Sequence, residues 1–178
     1  FEPTNVLNVS KKRNRDHLDP SGIFKKIILW IRANLFFPDS RMFWIKKVTK
    51  AASSYITEND VDCVITTTPP FSTHLIGYYV KLKSNVKWIA DFRDPWSDFF
   101  PFKQLPMINS VRKKHLRWEK KCLAYADSVI TTSPSLTKSY LKINNNSYTV
   151  TNGYGSLIDS VSEDKFIIMY TGVMKSIQ

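Results

Sequence analysis

The chain has 178 residues, of which 43% are apolar and 13% aromatic, a composition typical of a folded domain that excludes a wholly disordered chain. Lysine and arginine outnumber aspartate and glutamate by 26 to 15, and the resulting net charge of +11 favours an anionic partner, whether nucleic acid, phospholipid headgroups or a phosphorylated substrate. Because the sequence has neither a long uncharged apolar run nor the apolar centre of a signal peptide near its start, we expect a cytoplasmic protein.

Two helices are predicted first, separated at Pro38, which cannot continue a helix. They cover residues 21 to 37 and 40 to 59. Apolar segments then predict strands at residues 61 to 67, 86 to 92, 127 to 133, 147 to 153 and 165 to 172. Helical patterns lie between the first four, at residues 71 to 83, 108 to 126 and 133 to 142, the last with Ser133 as N-cap and Pro134 in its first turn.

Strands that alternate with helices of about ten or more residues pair in parallel through right-handed crossovers. We therefore predict an α/β fold, a Rossmann-like open parallel sheet flanked by helices. The apolar strands predict burial on both faces of the sheet. Residues predicted to face inward in the helix at 108 to 126 are Ile108, Val111, Leu116, Cys122 and Leu123. Cys63 and Cys122 lie in apolar surroundings without metal-ligand spacing, and we interpret both as buried thiols.

Polar segments follow each predicted strand, namely TTPPFS, DFRDPWSD, TSPS, NGYG and TG. In an open parallel sheet the carboxyl ends of the strands line up along one edge, and ligands bind in the crevice there. We therefore expect these segments to converge on one site. The charges of DFRDPW belong to this edge rather than to the core.

The charged cluster of the second segment consists of Asp91, Arg93 and Asp94. Carboxylates beside a planar cation with five donors suit sugar hydroxyls and phosphate oxygens. The alternative is an arginine held between two aspartates as a structural ion pair that stiffens the loop. Their position directly after a strand favours a functional role.

His74, in the first turn of the helix after the first strand, is either a ligand contact or an ordinary capping or packing residue. Asn152 and Gly153 permit a close backbone approach to a ligand, or form a plain turn. The sequence has no glycine-rich phosphate loop and no metal-ligand cluster. It therefore predicts binding of a polar, phosphorylated ligand without a metal.

These motifs resemble the amino-terminal half of bacterial glycosyltransferases of family 4. The similar segments are VITTTPPFSTHLIGYYVK, WIADFRDPW, LRWEKKCLAYADSVITTSPSL, VTNGY and FIIMYTG, preceded by FFPDSRMFWIKKV. They run in unbroken order from about Pro38 to Gly172, and only their combination is specific.

The resemblance implies a GT-B fold and a retaining enzyme of the hexosyltransferase type that uses a nucleotide-sugar donor and no metal or other cofactor. It implies that residues 1 to 164 form an acceptor-side domain and that residues 165 to 178 begin the donor-binding domain. With the argument from the sheet edge, it assigns catalytic roles to Arg93 and Asp94. Substrate-binding roles go to Asp91, Trp96, Thr68, Ser72, His74, Ser133, Asn152 and Gly153.

The chain departs from the family pattern in three respects. Arg93 stands where many members carry a histidine, and Gly155 replaces a common aspartate. The first strand of the family and its glycine-rich loop have no counterpart before Phe1. We therefore expect a fragment of a longer enzyme that is inactive alone.

The implied partners are a nucleotide-sugar and a polysaccharide or lipid-linked glycan. An anionic membrane surface is a further candidate, because the basic segments and IFKKIILWIRANLFF suit a peripheral position at the inner face of the plasma membrane. The alternative for this helix is ordinary packing against the sheet. The alternative function is a non-catalytic basic module that binds nucleic acid or an anionic membrane. Nucleic acid is not expected, because no groove-entering motif is present and the loop carboxylates would repel phosphate.

Overall fold

The computed structural model describes residues 22–153 and residue 155 and has an α/β architecture built on one parallel sheet. Its strands are β1 (Cys63–Thr68), β2 (Lys87–Phe92), β3 (Ser128–Thr131) and β4 (Ser147–Thr149), hydrogen-bonded in the order β1-β2-β3-β4. All three pairings are parallel, which confirms the predicted fold class. The strand predicted at 165 to 172, and the second domain predicted at 165 to 178, lie outside the described residues.

Six α-helices accompany the sheet in the described part of the chain. They are α1 (Ile23–Leu35), α2 (Ile45–Glu58), α3 (Ser72–Ser84), α4 (Phe100–Lys103), α5 (Asn109–Tyr125) and α6 (Pro134–Tyr140). The predicted interruption at Pro38 is confirmed, since α1 ends before it and α2 begins after it. Ser133 caps α6 as predicted, its Oγ accepting the Leu136 N–H at 3.4 Å.

Helices α3, α5 and α6 pack on one face of the sheet. Gly77 of α3 lies directly against Trp88 of β2, and an added Cβ would meet the indole Nε1 at 2.4 Å, so only glycine permits this approach. Tyr140 of α6 contacts Phe92 edge-on with ring centroids 5.1 Å apart. Trp88, Phe92 and Val129 are completely buried beneath these helices.

The expected burial on both faces of the sheet is wrong for the described residues. Trp88, Ala90 and Phe92 face the helices, whereas Ile89 points to the opposite face and Ile65 of β1 is 62% exposed there. The cause is topological. Right-handed crossovers between strands in the order one to four place each connecting helix on the same side.

The face that helix α5 turns to the core agrees only in part with the predicted one. Cys122 and Leu123 are buried as expected, but Ile108 and Leu116 are 46% and 44% exposed. His115 and Glu119 are buried in their place. The helix is rotated so that two polar side chains reach the loop after β2, which offers them hydrogen-bond donors.

Candidate functional site at the carboxyl edge of the sheet

The candidate site lies where the four strands end. The pairing register aligns Thr68 with Phe92, Phe92 with Thr131, and Thr131 with Thr149, which are the last residues of their strands. Every loop that leaves a strand therefore starts at the same edge of the sheet. This is the arrangement in which open α/β sheets bind ligands.

Arg93 joins the loops that follow three strands. Its Nη2 donates a hydrogen bond to Asn152 Oδ1 at 2.6 Å, across 59 residues of sequence. Its carbonyl oxygen accepts a hydrogen bond from Thr132 Oγ1 at 2.9 Å. Arg93 is exposed, so its remaining guanidinium donors face solvent.

The two carboxylates near Arg93 do not neutralise it. Neither Asp91 nor Asp94 forms a salt bridge with Arg93 in the described part of the chain. Both aspartates are half-buried. Strand alternation turns Asp91 away from the helix-covered face that Phe92 occupies. The structural ion pair that was the alternative interpretation of this cluster is therefore not formed.

A buried carboxylate supports the loop after β2 from below. Glu119 is 5% exposed, and its Oε1 accepts the Trp96 N–H at 3.0 Å and the Tyr140 hydroxyl at 2.7 Å. Its Oε2 accepts hydrogen bonds from the N–H and the hydroxyl of Ser97. Burial, together with the Glu119 charge, raises the pKa of Tyr140 and keeps it a donor.

Trp96 lies inside the core, not in the crevice. Its ring stacks on Phe71 with centroids 5.3 Å apart, and its Nε1 donates to His115 Nδ1 at 3.0 Å. Burial, with smaller contributions from Lys114 and Arg112, lowers the pKa of His115 to about 4, so this ring is a neutral acceptor at physiological pH. The Trp96 side chain is 0% exposed and anchors the loop to the core.

His74 is the centre of a buried chain of hydrogen bonds that ends at the sheet edge. Trp88 Nε1 donates to Thr66 Oγ1 at 2.8 Å, and that hydroxyl is 2.8 Å from His74 Nδ1. His74 Nε2 is 3.2 Å from Thr68 Oγ1, which donates to the Asp91 carbonyl at 3.4 Å. These donors require a neutral ring protonated on Nε2.

The protonation state of His74 follows from its surroundings. It is completely buried, and desolvation lowers its pKa to about 3. The ring also packs on Phe92 with centroids 4.1 Å apart. Of the two interpretations of His74, the structure therefore favours a packing residue that fixes the position of β1 and β2.

The first turn of α3 is held by an aspartate from far upstream. Asp39 Oδ2 accepts the Ser72 N–H at 2.8 Å, and Trp44 Nε1 donates to Ser72 Oγ at 3.1 Å. Helix N-termini attract anions, and here the chain's own carboxylate occupies that position. Ser72 is completely buried.

The predicted site residues fall into two groups. Those that reach the surface at the carboxyl edge are Asp91, Arg93, Asp94, Ser133, Asn152 and Gly153. Those whose side chains are completely buried are Thr68, Ser72, His74 and Trp96. In this structure the second group shapes the loops and does not face the crevice.

Sequence reasoning did not assign a role to Glu119 or Asp39. Glu119 did leave a signal, because it is the only acidic residue in α5 and lies four residues from His115 and three from Cys122, on the buried face. The only sequence signal for Asp39 was its position after Pro38, in the segment before α2. Within the described residues, no three His, Cys, Asp or Glu side chains are grouped to hold a metal ion.

No protein-family model matches the chain, and no curated protein matches it. The resemblance to glycosyltransferase family 4 therefore rests on the sequence motifs alone.

Proposed function

We propose that this chain is part of a retaining glycosyltransferase that transfers a sugar from a nucleotide-sugar to a polysaccharide or lipid-linked glycan acceptor. The observation that carries the proposal is the state of Arg93. It is exposed at the carboxyl edge, is held in place by the neutral amide of Asn152, and has no salt bridge to Asp91 or Asp94. A cation kept in position without a counter-ion is suited to an anionic ligand.

Each exposed group at this edge has a role that its chemistry supports. The Arg93 guanidinium would contact the phosphate oxygens of the donor, where negative charge grows as the sugar departs. The carboxylates of Asp91 and Asp94 would accept hydrogen bonds from sugar hydroxyls. Among the described residues, a Cβ at Gly153 would meet nothing within 4 Å.

The buried polar residues support this role by holding the loops before a ligand arrives. Glu119 binds two consecutive backbone N–H groups of the loop after β2, and Thr68 binds the Asp91 carbonyl from below. A site positioned in advance needs less reorganisation to reach the transition state. Their rigidity is therefore part of the proposed mechanism.

The test uses the protein encoded by the complete reading frame, incubated with a panel of uridine, guanosine and cytidine nucleotide-sugars. We expect the nucleotide to be released from one class of donor. We also expect the transferred sugar to keep its anomeric configuration in the product. Arg117→Ala is the matched control for substitutions of Arg93, because Arg117 is an exposed arginine of α5 with no hydrogen bond or salt bridge among the described residues. Absence of binding and of turnover with every donor would contradict the proposal.

We propose an anionic membrane surface as a further partner, on the evidence of α1. Only Ala33 of this helix is buried, and Ile23, Phe24 and Leu35 are 79%, 74% and 62% exposed. The helix contains Lys25, Lys26 and Arg32 but no acidic residue. A helix that combines exposed apolar side chains with basic residues, and has no acidic residue, is typical of helices that lie in a bilayer interface.

Helix α1 is attached to the rest of the protein near its carboxyl end. Asn34 Nδ2 donates to the Pro106 carbonyl at 3.0 Å, and Asn34 Oδ1 accepts the Ile108 N–H at 2.9 Å. No helix among the described residues is long and apolar enough to cross a membrane. The proposed contact is therefore peripheral.

Vesicle sedimentation tests the membrane proposal. We expect the chain to bind phosphatidylglycerol vesicles more strongly than phosphatidylcholine vesicles, and to release them as salt rises. Phe24→Ser should weaken binding, whereas Tyr55→Ser, which removes an aromatic side chain 61% exposed on α2, should not. Equal binding to both vesicle types would contradict the proposal.

A further inference from the structure

A second cavity lies away from the carboxyl edge, between helices α2, α3 and α5. It encloses about 450 Å³, within the range of small-molecule sites. Its walls are apolar and come from all three helices and the segment before α2. They include Phe37, Ile45, Leu75 and Trp118.

The charge around this cavity has one sign. Lys46 and Lys83 line it. Outside the lining, Lys114 and Lys121 lie over the rings of Phe37 and Trp118, with their Nζ atoms 4.1 Å and 4.8 Å from the ring centroids respectively. No carboxylate lines the cavity. None of the four lysines forms a salt bridge in the part of the chain that the structure describes.

We infer that this cavity binds an amphipathic anion, with an alkyl or aromatic body between the helices and a phosphate or carboxylate among the lysines. The ammonium groups of Lys46 and Lys83, which have no salt bridge among the described residues, can each pair with an anion held at the apolar cavity. Burial of the apolar part adds affinity in proportion to the area removed from water. Glu58 shares a neighbouring depression with Lys83 but forms no salt bridge with it.

The cavity is independent of the proposed glycosyl transfer. Its lining includes none of the residues assigned to the carboxyl edge. The inference therefore stands or falls separately from the proposed function. An amphiphile free in solution and a lipid drawn from a bilayer share the chemistry required, and the two arms of the experiment below distinguish them.

The first arm titrates the 178-residue chain with octyl phosphate without lipid, and compares octan-1-ol and octylammonium. Backbone amide shifts and the shift of the Trp118 indole N–H in two-dimensional NMR report on the cavity. We expect octyl phosphate to bind saturably, with a dissociation constant at least about tenfold lower than that of either comparison compound. A difference of this size is what one charge-assisted contact contributes. The shifts should be confined to α2, α3, α5 and the segment before α2.

Two double variants carry the same loss of charge. Lys46→Gln with Lys83→Gln should weaken octyl phosphate binding about tenfold or more, because it removes both lysines that line the cavity. Lys47→Gln with Lys113→Gln, two exposed lysines outside the lining, should leave it within about twofold. All four side chains are exposed, so both double variants should fold.

The second arm measures binding of the same variants to phosphatidylglycerol vesicles. If only octyl phosphate binding is lost in the first double variant, the ligand is a free amphiphile. If vesicle binding is lost as well and survives in the control, the ligand is a bilayer lipid. The inference is overturned if octyl phosphate, octanol and octylammonium bind alike, if no binding is saturable, or if the two double variants behave identically.

Discussion

The carboxylate of Glu119 holds the backbone of Trp96, accepting its N–H at 3.0 Å from the neighbouring helix α5. The same carboxylate binds Ser97 and Tyr140, so one buried side chain fixes the loop after β2 to α5 and α6. No lysine or arginine forms a salt bridge with Glu119 among the described residues. The buried charge is stabilised by hydrogen bonds alone, and its removal leaves donors without partners.

Glu119→Ala should lower the free energy of unfolding by about 2 to 4 kcal/mol, because it leaves the Trp96 and Ser97 N–H groups and the Tyr140 hydroxyl unsatisfied. Tyr140→Phe removes a single hydrogen bond and should cost about 1 kcal/mol. Urea denaturation followed by circular dichroism measures both. Glu58→Ala on the exposed surface of α2 is the control, and an equal loss there would show that the Glu119 contacts contribute nothing.

In the complete enzyme, Arg93→Ala and Asp94→Asn should each reduce sugar transfer roughly 30- to 1,000-fold, the equivalent of about 2 to 4 kcal/mol of transition-state stabilisation. Their effect on the melting temperature should be small, because both side chains lie at the surface and neither forms a salt bridge in the described structure. The measurements are the initial rate of sugar transfer and the melting temperature of each variant. Near wild-type turnover in both variants would remove this loop from the active site.

Stability should fall as the pH drops below about 6.5, owing to the two buried histidines, His74 and His115, of which His74 has the larger shift. Burial lowers the folded-state pKa of His74 from 6.5 to about 3, so the unfolded chain takes up a proton first as the pH falls. The contribution of His74 to the free energy of unfolding is complete above pH 6.5 and decreases towards pH 3. Between pH 7 and pH 5 it decreases by up to about 2 kcal/mol. Denaturation at a series of pH values should show a shallower slope in His74→Gln, and parallel slopes would contradict this assignment.

Thr49→Val should stabilise the protein by about 1 kcal/mol. Thr49 is 3% exposed, and its hydroxyl has no hydrogen-bond partner among the described residues, so the isosteric methyl group removes an unsatisfied polar atom. Thr57→Val on the same helix is the matched control, because the Thr57 hydroxyl is exposed and donates to the Ser53 carbonyl at 2.9 Å. A lower unfolding midpoint in Thr49→Val than in Thr57→Val would show that the hydroxyl has a partner in solution.

The sequence determined the elements and their order. Short continuous apolar runs identified the strands, and apolar residues that recur each turn identified the helices. Pro38 marked the break between α1 and α2, and Ser133 the start of α6, since both act through local backbone geometry. Helices between the strands then required a parallel sheet, and with it a single edge for the loops.

Tertiary structure decided which side chains meet. Arg93 binds Asn152, 59 residues away, rather than the aspartates beside it in sequence. That partner depends on the register of β2, β3 and β4, which no local pattern encodes. The rotation of α5 likewise placed Glu119 under the loop and left Leu116 exposed. Burying a carboxylate is favourable only where donors from other elements satisfy it, so its role is set by packing and not by its neighbours in sequence.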